Sequence, residues 1–210
     1  GLANATSDWI QFLDADDELL PGKLANQVDL VCPGVYLVVG NCIHVFPDGR
    51  MHLRKSDTDI WKGLIRSNFG HTCANLWNKK CLLEVGCWDE RLSSSQEYDM
   101  MFRLLVRYPK VAFQANAATI VHFRGDSISH KPSNREARLK NWLELRGRIR
   151  QHLIDTGRFN LKYQYYWSGS VGVFCKSNKI EIRDGVSSFL LFLYRIELTC
   201  KQIIHQIMKT

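Results

Sequence analysis

The chain has 210 residues, of which 45% are hydrophobic and 23% are charged, as is ordinary for a folded globular protein. Its seven cysteines are odd in number and show no C-x-x-C spacing. This pattern argues against a disulfide framework and a zinc site, and it favours a reducing, cytoplasmic compartment. The first residues lack the basic start and long apolar run of a signal peptide, so none is expected.

The net charge of +7 is unevenly distributed along the chain. Residues 1–130 hold 13 basic against 15 acidic side chains, whereas residues 131–210 hold 15 against 6. We therefore predict a main domain at 1–130 and a basic, mainly helical extension at 131–210. Such an extension suits an anionic partner or is simply a solvated helix face. Aromatic and basic residues do not alternate in a recognisable module, so no nucleic-acid partner is predicted.

The apolar periodicity predicts alternating strands and helices, which is typical of an α/β protein. In chain order, the predicted elements are a helix end at 1–7, a strand at 9–13, a helix at 21–30, a hairpin at 34–46 and 50–54, a helix at 57–69, a strand at 71–77, helices at 79–85 and 97–108, strands at 111–113 and 118–123, and helices at 133–155 and 186–208.

An acidic turn follows the first predicted strand. Asp14, Asp16 and Asp17 come directly after the apolar run Trp9–Leu13. In an open α/β sheet, ligands bind beyond the carboxyl ends of strands. Closely spaced carboxylates repel one another unless a cation or water lies between them, and hard oxygen ligands suit Mg²⁺ or Mn²⁺. The alternative is a polar turn in which Asp17 caps a helix.

A second acidic group opens the helix predicted at 97–108. Glu97 and Asp99 lie in its first turn, after a loop of small residues. The helix dipole alone would stabilise carboxylates there. The functional alternative is a general base that takes a proton from an acceptor hydroxyl.

A third candidate group lies at the end of the strand predicted at 118–123. His122 is a possible Mn²⁺ ligand, and Arg124 is suited to hold a phosphate group. The alternative for His122 is a strand residue whose imidazole is satisfied by an ordinary hydrogen bond.

Together these motifs resemble family 2 glycosyltransferases of the GT-A fold, over roughly residues 1–130. The resemblance rests on GLANA before WIQFLDADDELLPGKL, on the loop Gly86–Glu90, on Gln96-Glu97, and on Arg103-Leu104. It implies that Asp14 and Asp16 form the D-x-D motif that binds the metal of a nucleotide-sugar, with Asp17 as the third acid. It also implies that Glu97 is the general base, although Asp is more usual there and the residue before it is usually acidic.

The resemblance implies an inverting transfer of sugar from a nucleotide-sugar to an acceptor hydroxyl, in glycan or cell-surface polysaccharide synthesis. His122 would complete the metal shell, and Arg124 would contact the diphosphate. The expected fold is a GT-A-like mixed sheet flanked by helices, N-terminally truncated, with a helical C-terminal tail. Because the family's nucleotide-base pocket comes from strands before this point, weak donor binding and low turnover are expected. A sheet edge exposed by truncation would favour a homodimer.

The sequence is also compatible with other functions. A nucleotidyltransferase would need a Gly-rich loop near its start, and none is visible. A non-catalytic transferase remnant that binds sugar or a membrane is a further alternative. The apolar run Phe189–Tyr194 is too short to span a bilayer. Residues 186–210 are therefore expected either to contact the inner face of a membrane peripherally or to pack on the catalytic domain or a partner copy.

Overall fold

The structure is a computed structural model that describes residues 1–123 and 135–207, apart from the side chain of His205. The chain divides into two compact units, Gly1–Trp142 and Leu143–Thr210. The division falls inside a long helix, α5 (Arg135–Asp155), whereas the sequence placed the domain boundary at residue 130.

The first unit is built on a six-stranded mixed sheet. Its strands are β1 (Trp9–Ile10), β2 (Glu18–Leu19), β3 (Leu37–Val45), β4 (Met51–Arg54), β5 (Leu76–Asn78) and β6 (Val111–His122). The strand order is β1-β5-β3-β6-β2, with β4 added to β3 as a hairpin partner. The β3–β6 pair is parallel and every other pair is antiparallel, so β1, β3 and β6 run in the same direction.

Helices complete both units. Those of the first unit are α1 (Lys23–Val28), α2 (Ile60–Arg66), α3 (Lys79–Glu84), α4 (Gln96–Arg107) and the start of α5. The second unit holds the rest of α5, then α6 (Leu161–Asn178) and α7 (Ser188–Ile207). Across the described residues, none of the helices combines the length and the apolar character needed to cross a bilayer.

Local chemistry explains where several helices begin. The side chain of Asp59 accepts the Lys62 N–H at 3.0 Å to cap α2, and that of Asn78 accepts the Cys81 N–H at 3.1 Å to cap α3. Each cap satisfies one of the N–H groups that a helix start leaves unpaired. Helices α2 and α3 lie within the segments 57–69 and 79–85 that were predicted to be helical.

Three element predictions were wrong in detail. The first strand pairs only over Trp9–Ile10, because the side chain of Gln11 bonds to the Cys73 carbonyl at 2.7 Å and the chain then leaves the ladder. Residues 71–75 form a turn before β5 rather than a strand. The two strands predicted at 111–113 and 118–123 are one continuous strand, whose pairing with β3 shifts register between Gly40 and Ile43.

Helix α6 was not predicted at all. Its sequence mixes aromatic, small and apolar residues without an amphipathic stripe, and Ser168-Gly169-Ser170 is a pattern more typical of a hinge than of a helix interior. In the structure two of these small residues admit α7: a Cβ atom on Gly172 would lie 2.6 Å from Leu191 Cδ2, and Gly169 contacts the ring of Tyr194 in the same way. Close helix packing therefore explains the glycines.

The centre of the sheet is braced by a buried asparagine. Asn75 is fully buried, and its Oδ1 accepts the Gly40 N–H at 3.1 Å. The neighbouring Ala74 carbonyl accepts the amide of buried Gln27 at 2.8 Å. A Cβ atom on Gly40 would collide with the Ala74 carbonyl, whose carbon would lie 3.1 Å away. Only glycine allows β3 and the 71–75 turn to approach this closely.

We predict that Gly40→Ala destabilises the fold by about 1–3 kcal/mol, because the obstacle is backbone and cannot rotate away. Thermal unfolding should show a melting temperature lower by several degrees. Gly147→Ala is the matched control, since a Cβ atom there meets nothing within 4 Å in the interior of α5 and improves helix propensity. Equal melting temperatures for wild type and Gly40→Ala would contradict this role of Gly40.

Candidate active site

The candidate site lies at one edge of the first unit's sheet. Because β1, β3 and β6 run in the same direction, their carboxyl ends point toward this edge. The acidic turn follows β1 and His122 closes β6. This is the position at which open α/β sheets bind ligands.

The acidic turn is held partly by backbone hydrogen bonds. The Asp17 N–H donates to the Asp14 carbonyl at 3.1 Å, and the Asp17 carboxylate accepts the His122 N–H at 3.1 Å. Asp14 is exposed, whereas Asp16 and Asp17 are half-buried. Helix α1 begins at Lys23 with Gly22 as its N-cap, so Asp17 does not cap a helix. The alternative of a helix-capping turn is therefore wrong.

The side chain of His122 lies against a different acid. Its Nε2 is 2.8 Å from Glu18 Oε1, across the β2–β6 pair. The structure thus joins the His122 backbone to Asp17 and its imidazole to Glu18. The role of His122 as a metal ligand stays a prediction, and Arg124 lies outside the described residues.

Glu97 occupies the first turn of α4 with its carboxylate buried. Its Oε1 is enclosed and has no hydrogen-bond partner among the described residues, while the Thr72 hydroxyl donates to the carboxylate. Burial raises the pKa of Glu97, and the nearby charge of Asp14 raises it further. The charges of His71 and Arg54 oppose this rise. The carboxylates of Glu97 and Asp14 are therefore close enough to interact electrostatically.

Contacts from α4 and the acidic strand position the surrounding loops. The hydroxyl of Tyr98, next to Glu97, accepts the Phe69 N–H at 3.0 Å just before the 71–75 turn. Phe12 packs edge-on against Trp88 at 4.6 Å between ring centroids. Arg103 pairs with Asp99 at 2.8 Å and donates to the Cys87 carbonyl at 2.5 Å. These contacts join the strand before the acidic turn, the loop Gly86–Glu90 and the start of α4.

A cluster of nitrogen, sulfur and oxygen donors lies beside the acidic turn. One ligand atom from each of Asp17, His71 and Cys73 falls within 4.8 Å of the other two. His71 Nδ1 is 3.2 Å from Cys73 Sγ, and the thiol donates to Asp17. Burial, followed by this hydrogen bond, raises the pKa of Cys73 well above its usual range.

The sequence did not single out several residues near this edge. They are Thr72 and Arg54, for which the sequence carries no functional signal, and Cys73, which has no C-x-x-C partner. Two further side chains are partly removed from water: burial lowers the pKa of His44 to about 4 and that of Lys23 to about 8. No spacing in the chain joins these residues to Asp17, because they meet only through the sheet.

The residues present fit a hard divalent cation at the start of the acidic turn. Asp14 and Asp16 follow a strand end and offer carboxylate oxygens, the donors that Mg²⁺ and Mn²⁺ prefer. The carboxylate of Glu97 is buried and its Oε1 has no hydrogen-bond partner among the described residues, so a nearby cation would compensate its negative charge.

The fold is similar to that of two solved structures of S. aureus TarS. A crystal structure of S. aureus TarS superposes with a TM-score of 0.50 at 11% identity, over 90% of this chain and 36% of that one. TarS residues 1–349 in complex with UDP give a TM-score of 0.51 at 13% identity, over 84% of this chain and 58% of that one. The predicted GT-A-like mixed sheet flanked by helices, with a helical C-terminal region, is confirmed.

Sequence comparison finds similarity to glycosyltransferases over part of the chain. Residues 1–87 match the model for glycosyl transferase family 2. Uncharacterized glycosyltransferases of Rickettsia conorii and Rickettsia felis are 27% and 26% identical over 150 residues. Over residues 1–87 the chain is therefore similar to glycosyl transferase family 2, the family that its motifs resemble. The alignments cover 64% of this chain and 24% of each relative, so the chain spans about a quarter of their length.

We predict that Glu97→Gln stabilises the folded protein at neutral pH. A carboxyl whose pKa is raised by folding loses stability as the pH rises from its unfolded pKa, about 4.3, through its folded pKa. Above that window the wild type bears the full cost of a buried, partly unpaired carboxylate, and glutamine removes it. We expect a gain of roughly 1–3 kcal/mol at pH 8.

Thermal unfolding at pH 8 and pH 4.5 measures this effect. The melting temperature of Glu97→Gln should exceed that of wild type at pH 8, and the difference should shrink at pH 4.5. Glu90→Gln, at an exposed residue of the neighbouring loop, is the control and should shift neither value. A destabilised Glu97→Gln at pH 8 would show that the ionised carboxylate is well solvated or paired.

Proposed function

We propose that this chain is the catalytic part of an inverting glycosyltransferase. It would move a sugar from a nucleotide-sugar donor to a hydroxyl of a glycan or lipid-linked acceptor. The proposed setting is polysaccharide synthesis in the cytoplasm. Similarity to glycosyl transferase family 2 over residues 1–87 and the GT-A-like fold support this class of reaction.

The proposal depends most on the position of Glu97. Its carboxylate is buried at the start of α4, and it interacts electrostatically with Asp14 in the acidic turn after β1. A carboxyl with a raised pKa beside a charged donor site is suited to accept a proton near neutral pH. The two functional acids come from segments 83 residues apart in sequence numbering, so the fold, not local sequence, unites them.

Asp14 and Asp16 would hold a divalent cation, which when bound supplies charge neutralisation for the leaving diphosphate. Glu97 would take the proton of the acceptor hydroxyl as its oxygen attacks the anomeric carbon. The bond to the diphosphate breaks on the opposite face, which inverts the configuration. Thr72 holds the Glu97 carboxylate by a hydrogen bond, and Arg54 and His71 favour its ionised form. His122 would complete the metal shell, and Arg124 would contact the diphosphate.

Binding and turnover separate these roles. The TarS neighbour was crystallised with UDP, so UDP and UDP-sugars are the first ligands to test on this chain. The double variant Asp14→Asn/Asp16→Asn should lose most Mn²⁺-dependent UDP affinity in calorimetry. Glu97→Gln should bind UDP as wild type does, while release of UDP from a UDP-sugar falls by about 10²–10⁴-fold.

Asp48→Asn is the matched control, because Asp48 lies in the exposed β3–β4 turn paired with Arg50. It should retain both UDP binding and turnover. Unchanged turnover in Glu97→Gln would remove Glu97 as the base. UDP binding with no turnover in wild type, for any donor tested, would favour the non-catalytic remnant.

A further inference from the structure

Three potential metal ligands, Asp17, His71 and Cys73, each place one ligand atom within 4.8 Å of the other two. Asp17 comes from the turn after β1, whereas the other two come from the turn before β5. Both turns are held independently of any ligand: the His122 N–H fixes Asp17, and Asn75 fixes the 71–75 turn. The donors are therefore brought together by the fold itself.

The donor chemistry differs from that of Asp14 and Asp16. A thiolate and an imidazole select Zn²⁺ over Mg²⁺ or Mn²⁺, which prefer oxygen ligands. Tetrahedral Zn²⁺ with bonds of about 2.0–2.3 Å separates its ligand atoms by roughly 3.3–3.8 Å. The observed His71–Cys73 separation of 3.2 Å is close to this range. Three protein ligands would leave one position for water.

We propose that Asp17, His71 and Cys73 form a site for a thiophilic divalent cation of the Zn²⁺ type, separate from the carboxylate pair Asp14 and Asp16. Binding would displace the thiol proton of Cys73 to solvent, and the resulting thiolate, the neutral imidazole and the Asp17 carboxylate would complete the protein's share of the shell. The inference does not rest on the proposed transferase activity, because metal binding is measured without catalysis.

Co²⁺ titration of the full chain tests this site. We expect a thiolate-to-cobalt charge-transfer absorption together with visible bands of tetrahedral intensity, and loss of both on adding Zn²⁺. Cys73→Ser should abolish the charge-transfer band, and His71→Asn should weaken Co²⁺ affinity at least tenfold. Cys42→Ser is the matched control, since this thiol is buried in the same cluster as Cys73 but is not one of the three donors.

X-ray absorption of the Zn²⁺-loaded wild type gives a readout that needs no variant. One sulfur with nitrogen and oxygen ligands is expected in the first shell. A shell without sulfur, or a charge-transfer band that survives in folded Cys73→Ser, would overturn the proposal. Because neither readout reports sugar transfer, failure here leaves the proposed function standing, and failure of the transferase assays leaves this site standing.

A second, independent observation concerns α7. Its residues 189, 193, 196, 200, 203 and 207 alternate at spacings of four and three, which is the heptad spacing of a coiled-coil seam. We define the α7 seam as these six residues: Phe189, Leu193, Ile196, Cys200, Ile203 and Ile207. All are exposed, whereas Leu190, Leu191 and Tyr194, which are buried, face the other way.

The size of the α7 seam fits a protein partner. With the flanking Phe192 and Ile204, it exposes on the order of 700 Å² of apolar surface, near the ~800 Å² per partner of a standard interface. The described part of α7 is also nearly balanced in charge, since Arg195 and Lys201 stand against Glu197, to which Lys201 is paired. A helix that lies on anionic lipid usually carries many more cations.

We infer that the α7 seam pairs in parallel with the α7 seam of a second copy of this chain. In a parallel pair, equivalent heptad positions face each other, so Cys200 would lie opposite Cys200 of the second copy. Mild oxidation with copper–phenanthroline should then give a covalent dimer that Cys200→Ser does not form. Light scattering should still show a non-covalent dimer for Cys200→Ser.

Ile203→Lys should convert the dimer to monomer, because it places a charge in the seam. Arg195→Ala, outside the seam on the same helix, is the control and should remain dimeric. A monomer at all concentrations, or a dimer unaffected by folded Ile203→Lys, would overturn the inference. Flotation with anionic vesicles in place of dimerisation would assign the seam to lipid instead.

Discussion

The burial of the Glu97 carboxylate is the constraint on which the site depends. A carboxylate taken out of water is costly unless charges and hydrogen bonds compensate for the loss. Here compensation is partial: Thr72 donates one hydrogen bond and His71 and Arg54 supply favourable charge, while Asp14 opposes them. This imbalance is what a residue needs if it is to exchange a proton rather than remain permanently ionised. The buried Glu97 carboxylate therefore lowers the stability of the fold at the position where the proton transfer is proposed.

The frame around Glu97 is rigid for a different reason. Parallel β3 and β6 end together at one edge of the sheet, and β1, joined to them through β5, points toward the same edge. Gly40 and buried Asn75 lock the turn that carries His71, Thr72 and Cys73. Backbone bracing of this kind allows side chains from distant segments to keep a fixed spacing, which any binding site for a cation or sugar requires.

Much of this arrangement was predictable from sequence. Apolar runs ending in acids located the acidic turn, and the helix signals around 96–107 located Glu97. What sequence could not show is which residues from the middle of the chain meet them. Cys73 appeared to be core, and it is buried, yet it also faces Asp17 and His71. Helix α6 escaped prediction because its small residues serve packing against α7, a tertiary effect that local periodicity does not encode.

The proposed reaction requires Asp14 and Glu97 to line a single cleft. Paramagnetic Mn²⁺ added below stoichiometry to isotope-labelled protein measures this directly, because it broadens only nearby amide signals. We predict broadening at Asp14–Asp17 and also at Thr72 and Glu97, all of it lost in Asp14→Asn/Asp16→Asn. Broadening confined to the acidic turn, with the Thr72 and Glu97 signals sharp, would contradict a shared cleft.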